Sequence, residues 1–441
     1  MHRMPSDTIF ALASAPGRAG IAVMRVSGPK AGDCVKLLTG KDIPQPRRAV
    51  LRRLADRDGQ AIDQALVLWF SAPASLTGED VTEFHVHGGR AVIEALGREL
   101  GAMASCRPAE AGEFTRRAVE NGKFELTQAE AVADLVDAQT DAQRRQALRQ
   151  YEGALGALYE GWRAAVLGAL AWAEASIDFS DEELPGDVLE RARGSAGEIS
   201  GAIRRHLDDG RRGELVREGL FLTVIGPPNA GKSSLVNALA GRDVAIVSES
   251  AGTTRDVIEV RLDLGGYAVI LADTAGLREA RDGVEAEGVR RALSRAGSAD
   301  LVLLLLDGNA AEPYEEITNN IVNGPSITVW NKADLPWPEP RLGLRLSLKT
   351  GEGLDDVIAA VTASAKDRLE ARGDGPMLTR PRHRYALGEA VEALERAAHA
   401  QEAELFAEDL RLALRALGRI TGRVDVEEVL GAVFRDFCIG K

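Results

Sequence analysis

Apolar and polar positions change rhythm three times along this chain. Up to about residue 120, short runs such as "GIAVMRVSG", "DQALVLWF" and "VTEFHVHGG" alternate apolar and polar residues between Gly and Pro turns. That period of two predicts strands mixed with helices, an α+β arrangement. From about 123 the repeat lengthens. Thr127 and Glu130 form a capping-box pattern that opens a long helical region. Within it Leu148, Tyr151, Leu155, Leu158, Trp162, Ala165, Ala169 and Trp172 alternate spacings of three and four, which predicts a buried bundle seam.

From about 218 the runs become continuously apolar: "LFLTVIG", "VIEVRLDL", "YAVILADTAG", "DLVLLLLDG", "SITVWNKAD" and "LGLRLSL". Unbroken apolar strands separated by helical segments predict a mostly parallel sheet buried on both faces. After "RGDGP" the pattern is helical to the end. The arrangement is multidomain: an α+β domain over 1–122, a helical domain in two parts (123–217 and 375–441), and an α/β domain over 218–374 inserted between them.

Composition narrows the class. No apolar run approaches the roughly 18–20 residues that span a bilayer, so a cytoplasmic protein without membrane contact is expected. Cys34, Cys106 and Cys438 are odd in number and far apart in sequence, which implies no disulfide framework. The formal net charge is −13, which gives no global attraction to nucleic acid. Any such contact would fall to a local cluster such as Arg380, Arg382, His383 and Arg384, unless these form a solvated helix entrance. The terminal "FCIGK" has the form of a prenylation signal, but Gly440 and Lys441 do not suit one.

The chemistry sits in the inserted domain. "GPPNAGKSS" follows a strand and opens a helix, satisfying the phosphate-loop pattern in its required context. Gly226 and Gly231 let backbone N–H groups face phosphates, with Asn229, Ala230 and Ser234 in the same loop. Lys232 offers a charge to the β/γ-phosphates and Ser233 a hydroxyl to magnesium. Asn229 offers a side-chain oxygen to a monovalent cation. "NKAD", with Asn331, Lys332 and Asp334, selects guanine, because adenine would leave the carboxylate unpaired. "DTAG" (Asp273, Thr274, Ala275, Gly276) fits the magnesium side and a γ-phosphate contact, and Thr254 in "GTTRD" is a second magnesium hydroxyl. Together these motifs predict a Ras-like GTPase. Leu277 stands where such proteins place a water-orienting Gln. Glu285 and Glu287, just downstream, are the carboxylates that could replace it.

Across essentially the whole chain the sequence resembles the MnmE (TrmE) family of tRNA modification GTPases. The shared stretches are "DTIFALASAPGRAGIAVMRVSG", "TGEDVTEFHVHGG", "AGEFTRRAVENGKFELTQAEAVADLVDA", "GPPNAGKSSLVNALAGRDVAIVSESAGTTRD", "DTAGLREA" and the terminal "FCIGK". The resemblance implies a homodimer that hydrolyses GTP with potassium activation. Asn229, Ser248, Ser250 and Thr253 match potassium positions, with Glu249, Ala251 and Gly252 in the same nucleotide-contacting loop. Glu285 matches the catalytic carboxylate and Glu287 does not. The N-terminal domain would bind a 5-formyl- or methylene-tetrahydrofolate and serve dimerisation, with Arg25, Glu83, Lys123 and Lys441 at the folate and Cys438 nearby as nucleophile or packed thiol. A flavin-dependent partner (MnmG in the family) would join it in a heterotetramer or larger complex. Together they would add an aminomethyl or carboxymethylaminomethyl group to C5 of the wobble uridine of certain tRNAs. In place of the family's Ser-Ala-Lys beside the guanine stands Ser347-Leu348-Lys349, whose bulkier Leu348 is expected to reshape the base pocket. His85 and His87 share one strand face without a third metal ligand in view.

Overall fold

The computed structural model describes residues 7–178, 188–242, 244–246, 259–272, 299–310, 325–337, 341–370, 375–424, 430, 433–434, 437 and 440. The chain forms two compact units: residues 1–133, 150–199 and 392–441 make one, and residues 134–149 and 200–391 the other.

In the first unit, strands β1 (Thr8–Leu12), β2 (Ala19–Ser27), β3 (Val50–Ala55), β4 (Ala61–Phe70), β5 (Val81–Gly88) and β6 (Cys106–Pro108) form a sheet of order β3-β4-β5-β2-β1-β6. Its pairings are antiparallel except β1 with β6. Strand period decides what each residue meets. Ala22, Met24 and Val26 of β2 enter a core with Phe84 and Val86 of β5 and with Val35, Leu38, Leu96 and Leu100 of helices Ala31–Thr39 and Arg90–Gly101. Arg25, of opposite parity, lies on the other face, opposite Glu83 in the β2–β5 register.

A polar cluster centres on one buried arginine of this unit. Arg117 is 2% exposed and meets Glu113 at 2.9 Å, Asp7 at 3.0 Å and Glu79 at 3.2 Å. Ser27 donates to Glu79 at 2.7 Å, and Arg107 reaches Glu113 at 2.6 Å. The fold also brings Cys34 and Cys106, 72 residues apart, to 4.0 Å as free thiols. Burial pushes both thiols above the ordinary cysteine range, which leaves them protonated and unreactive at neutral pH.

Two helical expectations are corrected. The capping box at Thr127 and Glu130 does not form. Helix Leu126–Asp137 starts earlier, and the Glu125 N–H donates to Gln128 Oε1 at 3.0 Å. Thr127 is already inside the helix, and its buried hydroxyl has no hydrogen-bond partner among the described residues. The expected seam also fails as one stripe. Gly153, at φ +89°, separates helix Asp141–Tyr151 from helix Ala154–Asp178 and resets the phase. The buried face of the second helix is Leu155, Tyr159, Val166, Ala169, Leu170 and Ala173. Trp172 is 52% exposed and Tyr151 is exposed too.

In the second unit, β7 (Leu220–Ile225), β8 (Ala245–Ile246), β9 (Glu259–Leu264), β10 (Tyr267–Ala272), β11 (Leu301–Asp307), β12 (Ser326–Asn331) and β13 (Leu344–Arg345) give the order β13-β12-β11-β7-β10-β9-β8. The five strands from β13 to β10 are parallel, whereas β9 pairs antiparallel with β10 and with β8. The β9–β10 turn is Gly265-Gly266, both at positive φ, as a two-residue hairpin loop requires. Strand β11 shows why its sequence is apolar throughout. Leu301, Leu303 and Leu305 enter one core layer and Val302, Leu304 and Leu306 the other. Each such burial is worth about 1.5–3 kcal/mol.

In the basic cluster near 380, two arginines are engaged in ion pairs and the histidine, His383, is buried. Arg380 pairs with Asp134 at 2.7 Å, and Arg384 with Asp209 at 2.7 Å and Glu214 at 3.0 Å. Among the described residues no helix is long and apolar enough to cross a membrane, and no group of three His, Cys, Asp or Glu could hold a metal.

Candidate functional site

Strand β7 ends at Ile225, and helix Lys232–Ala240 begins seven residues later at the C-terminal edge of the parallel strands. That edge is where parallel α/β sheets present ligand sites. Two glycines of the loop have distinct steric reasons. A Cβ on Gly226 would lie 2.0 Å from the Leu305 carbonyl oxygen of β11, so the strand crossing itself excludes a side chain. Gly231 sits at φ +104° as the residue before the helix, and a Cβ there would lie 2.6 Å from Asn331 Nδ2. Lys232 Nζ lies over the loop, donating to the carbonyls of Gly226 at 2.9 Å and Pro227 at 2.8 Å. Ser233 and Ser234 stand exposed on the first helical turn. Asn229 is exposed in the left-handed region at φ +62°, and its side chain has no hydrogen-bond partner among the described residues.

Three loops meet at Asn331. Its buried amide donates to the Ala230 carbonyl at 2.8 Å and accepts from the Leu348 N–H at 3.1 Å. Asn331 is therefore a tie between the phosphate loop and the two segments expected to read the base. Asp334 accepts from the Ser347 hydroxyl at 2.8 Å, with Lys349 Nζ at 3.7 Å. The Ser347 bond, aided by Lys349, holds the Asp334 carboxyl below its ordinary value, so it stays an acceptor throughout the neutral range. Lys332, at φ +66°, is anchored to Asp307 at 2.5 Å. The bulk of Leu348 is spent against the phosphate loop, with its Cδ1 3.1 Å from where a Gly231 Cβ would stand.

The Gly231 contact makes a prediction. Gly231→Ala forces a left-handed β-carbon into the Asn331 amide, and GTP affinity should fall at least about tenfold, as expected when a buried hydrogen-bonded tie is broken. Fluorescent-nucleotide titration of the variant measures it. Affinity within twofold of the unaltered protein would show that the tie is dispensable.

A second constellation lies in the first unit. Arg25 Nε donates to Glu83 Oε1 at 3.0 Å, and the guanidinium sits over the Phe114 ring at 5.7 Å. Glu83 also meets His85 Nε2 at 3.2 Å, while His87 pairs with Asp63 at 2.8 Å. Both histidines thus have carboxylate partners. The Gly440 carbonyl accepts from Arg25 Nη1 at 3.5 Å. Gly440 is at φ +103°, and a Cβ would lie 2.1 Å from the Leu12 carbonyl oxygen, so only glycine fits there. Lys123 Nζ donates to the Pro73 carbonyl at 2.9 Å rather than to Glu83.

Of the expected site residues, Ser248, Glu249, Ser250, Ala251, Gly252, Thr253, Thr254, Asp273, Thr274, Ala275, Gly276, Glu285, Cys438 and Lys441 lie outside the described residues, as do Leu277 and Glu287. Sequence reasoning missed the anchor Asp307, although it ends the apolar run "LVLLLLD" where a charge is conspicuous. It also missed Trp337, which carries no motif.

Residues 8–123 match the family described as "GTP-binding protein TrmE N-terminus", and residues 126–438 match "MnmE helical domain". The tRNA modification GTPase MnmE of Paramagnetospirillum magneticum is 55% identical over 442 residues, covering 99% of this chain and 100% of that protein. The proteins of the same name from Rhodospirillum rubrum and Parvibaculum lavamentivorans are each 54% identical, over 458 and 442 residues, with the same coverage.

Proposed function

The chain belongs to the MnmE family of tRNA modification GTPases, and from that premise we propose that its GTP hydrolysis is activated by potassium held in the phosphate loop. It is a GTP hydrolase acting in tRNA modification. What supports the potassium reading is Asn229, exposed at φ +62° within the loop with a side chain free of hydrogen bonds among the described residues. An amide oxygen so presented suits a monovalent cation, with Ser248, Ser250 and Thr253 completing the set. Magnesium would be held by Ser233 and Thr254. Bound there, the two cations would neutralise charge developing on the transferring phosphoryl group. The chain's own part is to fix the phosphates by Lys232 and backbone N–H groups, read guanine with Asp334, and orient water with Glu285.

Arg25 and Glu83, paired at 3.0 Å, fit a tetrahydrofolate derivative, since a carboxylate suits the pterin amine and a guanidinium the glutamate tail. Lys123 and Lys441 would join them. The homodimer would act in the cytoplasm with a flavin-dependent partner (MnmG) on the wobble uridine of certain tRNAs.

GTP turnover in KCl against NaCl at equal ionic strength tests this reading, for the unaltered protein and for Asn229→Ala. Potassium should stimulate the former by at least about tenfold, on the scale of losing one charge-stabilising contact, and should not stimulate the variant. Equal rates in both salts would remove the cation, and with it the present account of water activation by Glu285.

A further inference from the structure

We infer that Trp337 is the positioning residue of the guanine-reading carboxylate, joining the Asn331–Asp334 loop to the strand that precedes Ser347. The inference rests on Asp334 reading the base. Trp337 lies three residues past Asp334 and folds back. Its indole Nε1 donates to the Lys332 carbonyl at 3.2 Å, an oxygen that also accepts from the Leu335 N–H at 3.0 Å. These two bonds close the turn that carries Asp334. Lys332 holds φ +66° in that turn, a conformation a non-glycine residue keeps only when its surroundings enforce it.

The faces of the same ring do the rest. One region of the indole packs against the backbone of Gly308, where a Cβ would lie 2.3 to 2.7 Å from three ring atoms. The Gly308 N–H in turn donates to the Asn331 carbonyl at 2.9 Å. The Arg345 guanidinium lies 4.6 Å from the ring centroid, a cation–π distance. Arg345 is two residues before Ser347, whose hydroxyl bonds Asp334. A parallel contact secures the approach to that strand. Arg341 stacks on Trp330 at 4.9 Å, and Trp330 Nε1 donates to the Leu342 carbonyl at 2.9 Å. Trp337 thus touches both segments that define where the Asp334 carboxylate sits, without standing in the phosphate site.

The consequence is specific to the base. Asp334 would accept from guanine N1–H and from the exocyclic amine, and hypoxanthine lacks that amine. A carboxylate that drifts loses its advantage for guanine over hypoxanthine, whereas general damage to the domain weakens both nucleotides alike. The experiment is calorimetric titration of the full chain with GDP and with IDP, for the unaltered protein, Trp337→Leu and Gly308→Ala. Both variants should compress the GDP-to-IDP affinity ratio about five- to tenfold, within the range set by a hydrogen bond to a charged group. Trp337→Phe keeps an aromatic plate but removes the N–H and part of the bicyclic ring, so it should compress the ratio about two- to threefold, and it serves if the leucine variant does not fold. An unchanged ratio in folded variants, even with both affinities lowered, would overturn the role of Trp337. Absence of discrimination in the unaltered protein would instead overturn the reading of Asp334.

Discussion

Lys232→Ala is expected to lower the GTP hydrolysis rate by about 10²–10³-fold, the scale for removing one preorganised group that stabilises transition-state charge. The ammonium already lies within the cradle it would serve, 2.9 Å from the Gly226 carbonyl and 2.8 Å from that of Pro227. No other lysine or arginine lies in the 226–234 loop, and the nearby Lys332 ammonium is committed to Asp307. Lys232→Arg should not rescue, because a planar fork does not reproduce a point charge bonded to two loop carbonyls. Single-turnover phosphate release with saturating nucleotide separates this effect from weakened binding. A rate within about tenfold of the unaltered enzyme would mean that the ammonium does not reach the phosphates in the reacting complex.

The largest effect on stability is expected at Arg117. Replacing it by Met keeps much of the volume and removes the cation shared by Glu113, Glu79 and Asp7. Breaking a buried ion-pair cluster by deleting one partner costs about 3–5 kcal/mol, because the remaining charge is left desolvated. Urea unfolding followed by hydrogen exchange in β1 and β5 would show it. A loss below about 1 kcal/mol would mean that Arg107 suffices for Asp7 and Glu113 and the Ser27 hydroxyl for Glu79. The cluster also sets an acid limit. Burial would raise the Glu113 carboxyl above its ordinary 4.5, but Arg107, the Glu110 N–H and Arg117 together prevail and hold it lower. Asp7 is likewise held below 3.8, with Arg107 and Arg117 overcoming burial. Carboxyls lowered in the folded state stabilise it at neutral pH. That stabilisation is lost as pH falls below about 4.5 and through the lowered values. Arg117→Met should flatten this acid dependence.

How far the sequence speaks depends on whether a feature is local. The run Leu301–Leu306 is legible because a strand covered on both faces needs apolar residues at both parities. The phosphate loop is legible because its glycines and Lys232 must be adjacent along the chain. The resemblance to a family adds Arg25 and Glu83, which spacing alone would never pair. Local patterns mislead where two readings compete. Gln128 satisfies the Glu125 N–H and starts the helix ahead of Thr127, and Gly153 breaks a seam whose spacing looks continuous. Other features are invisible from any window. Cys34 meets Cys106 only because β6 returns to β1 beside helix Ala31–Thr39. The ties at Asn331, Asp307 and Trp337 exist only once β11, β12 and β13 lie side by side.

The two ends of the chain share one unit, and this has a bearing on its synthesis. Phe434 and Phe437 pack with Leu126 and Ala129, a Cβ on Gly112 would lie 2.9 Å from each of those two phenylalanines, and Gly440 sits against Leu12. A ribosome adding about 5–20 residues per second takes on the order of tens of seconds to travel from Ala129 to Phe437. Through that interval the apolar patch around Leu126 waits without the segment that finally covers it. The nascent N-terminal unit thus keeps this patch uncovered until the segment around Phe434 has been made.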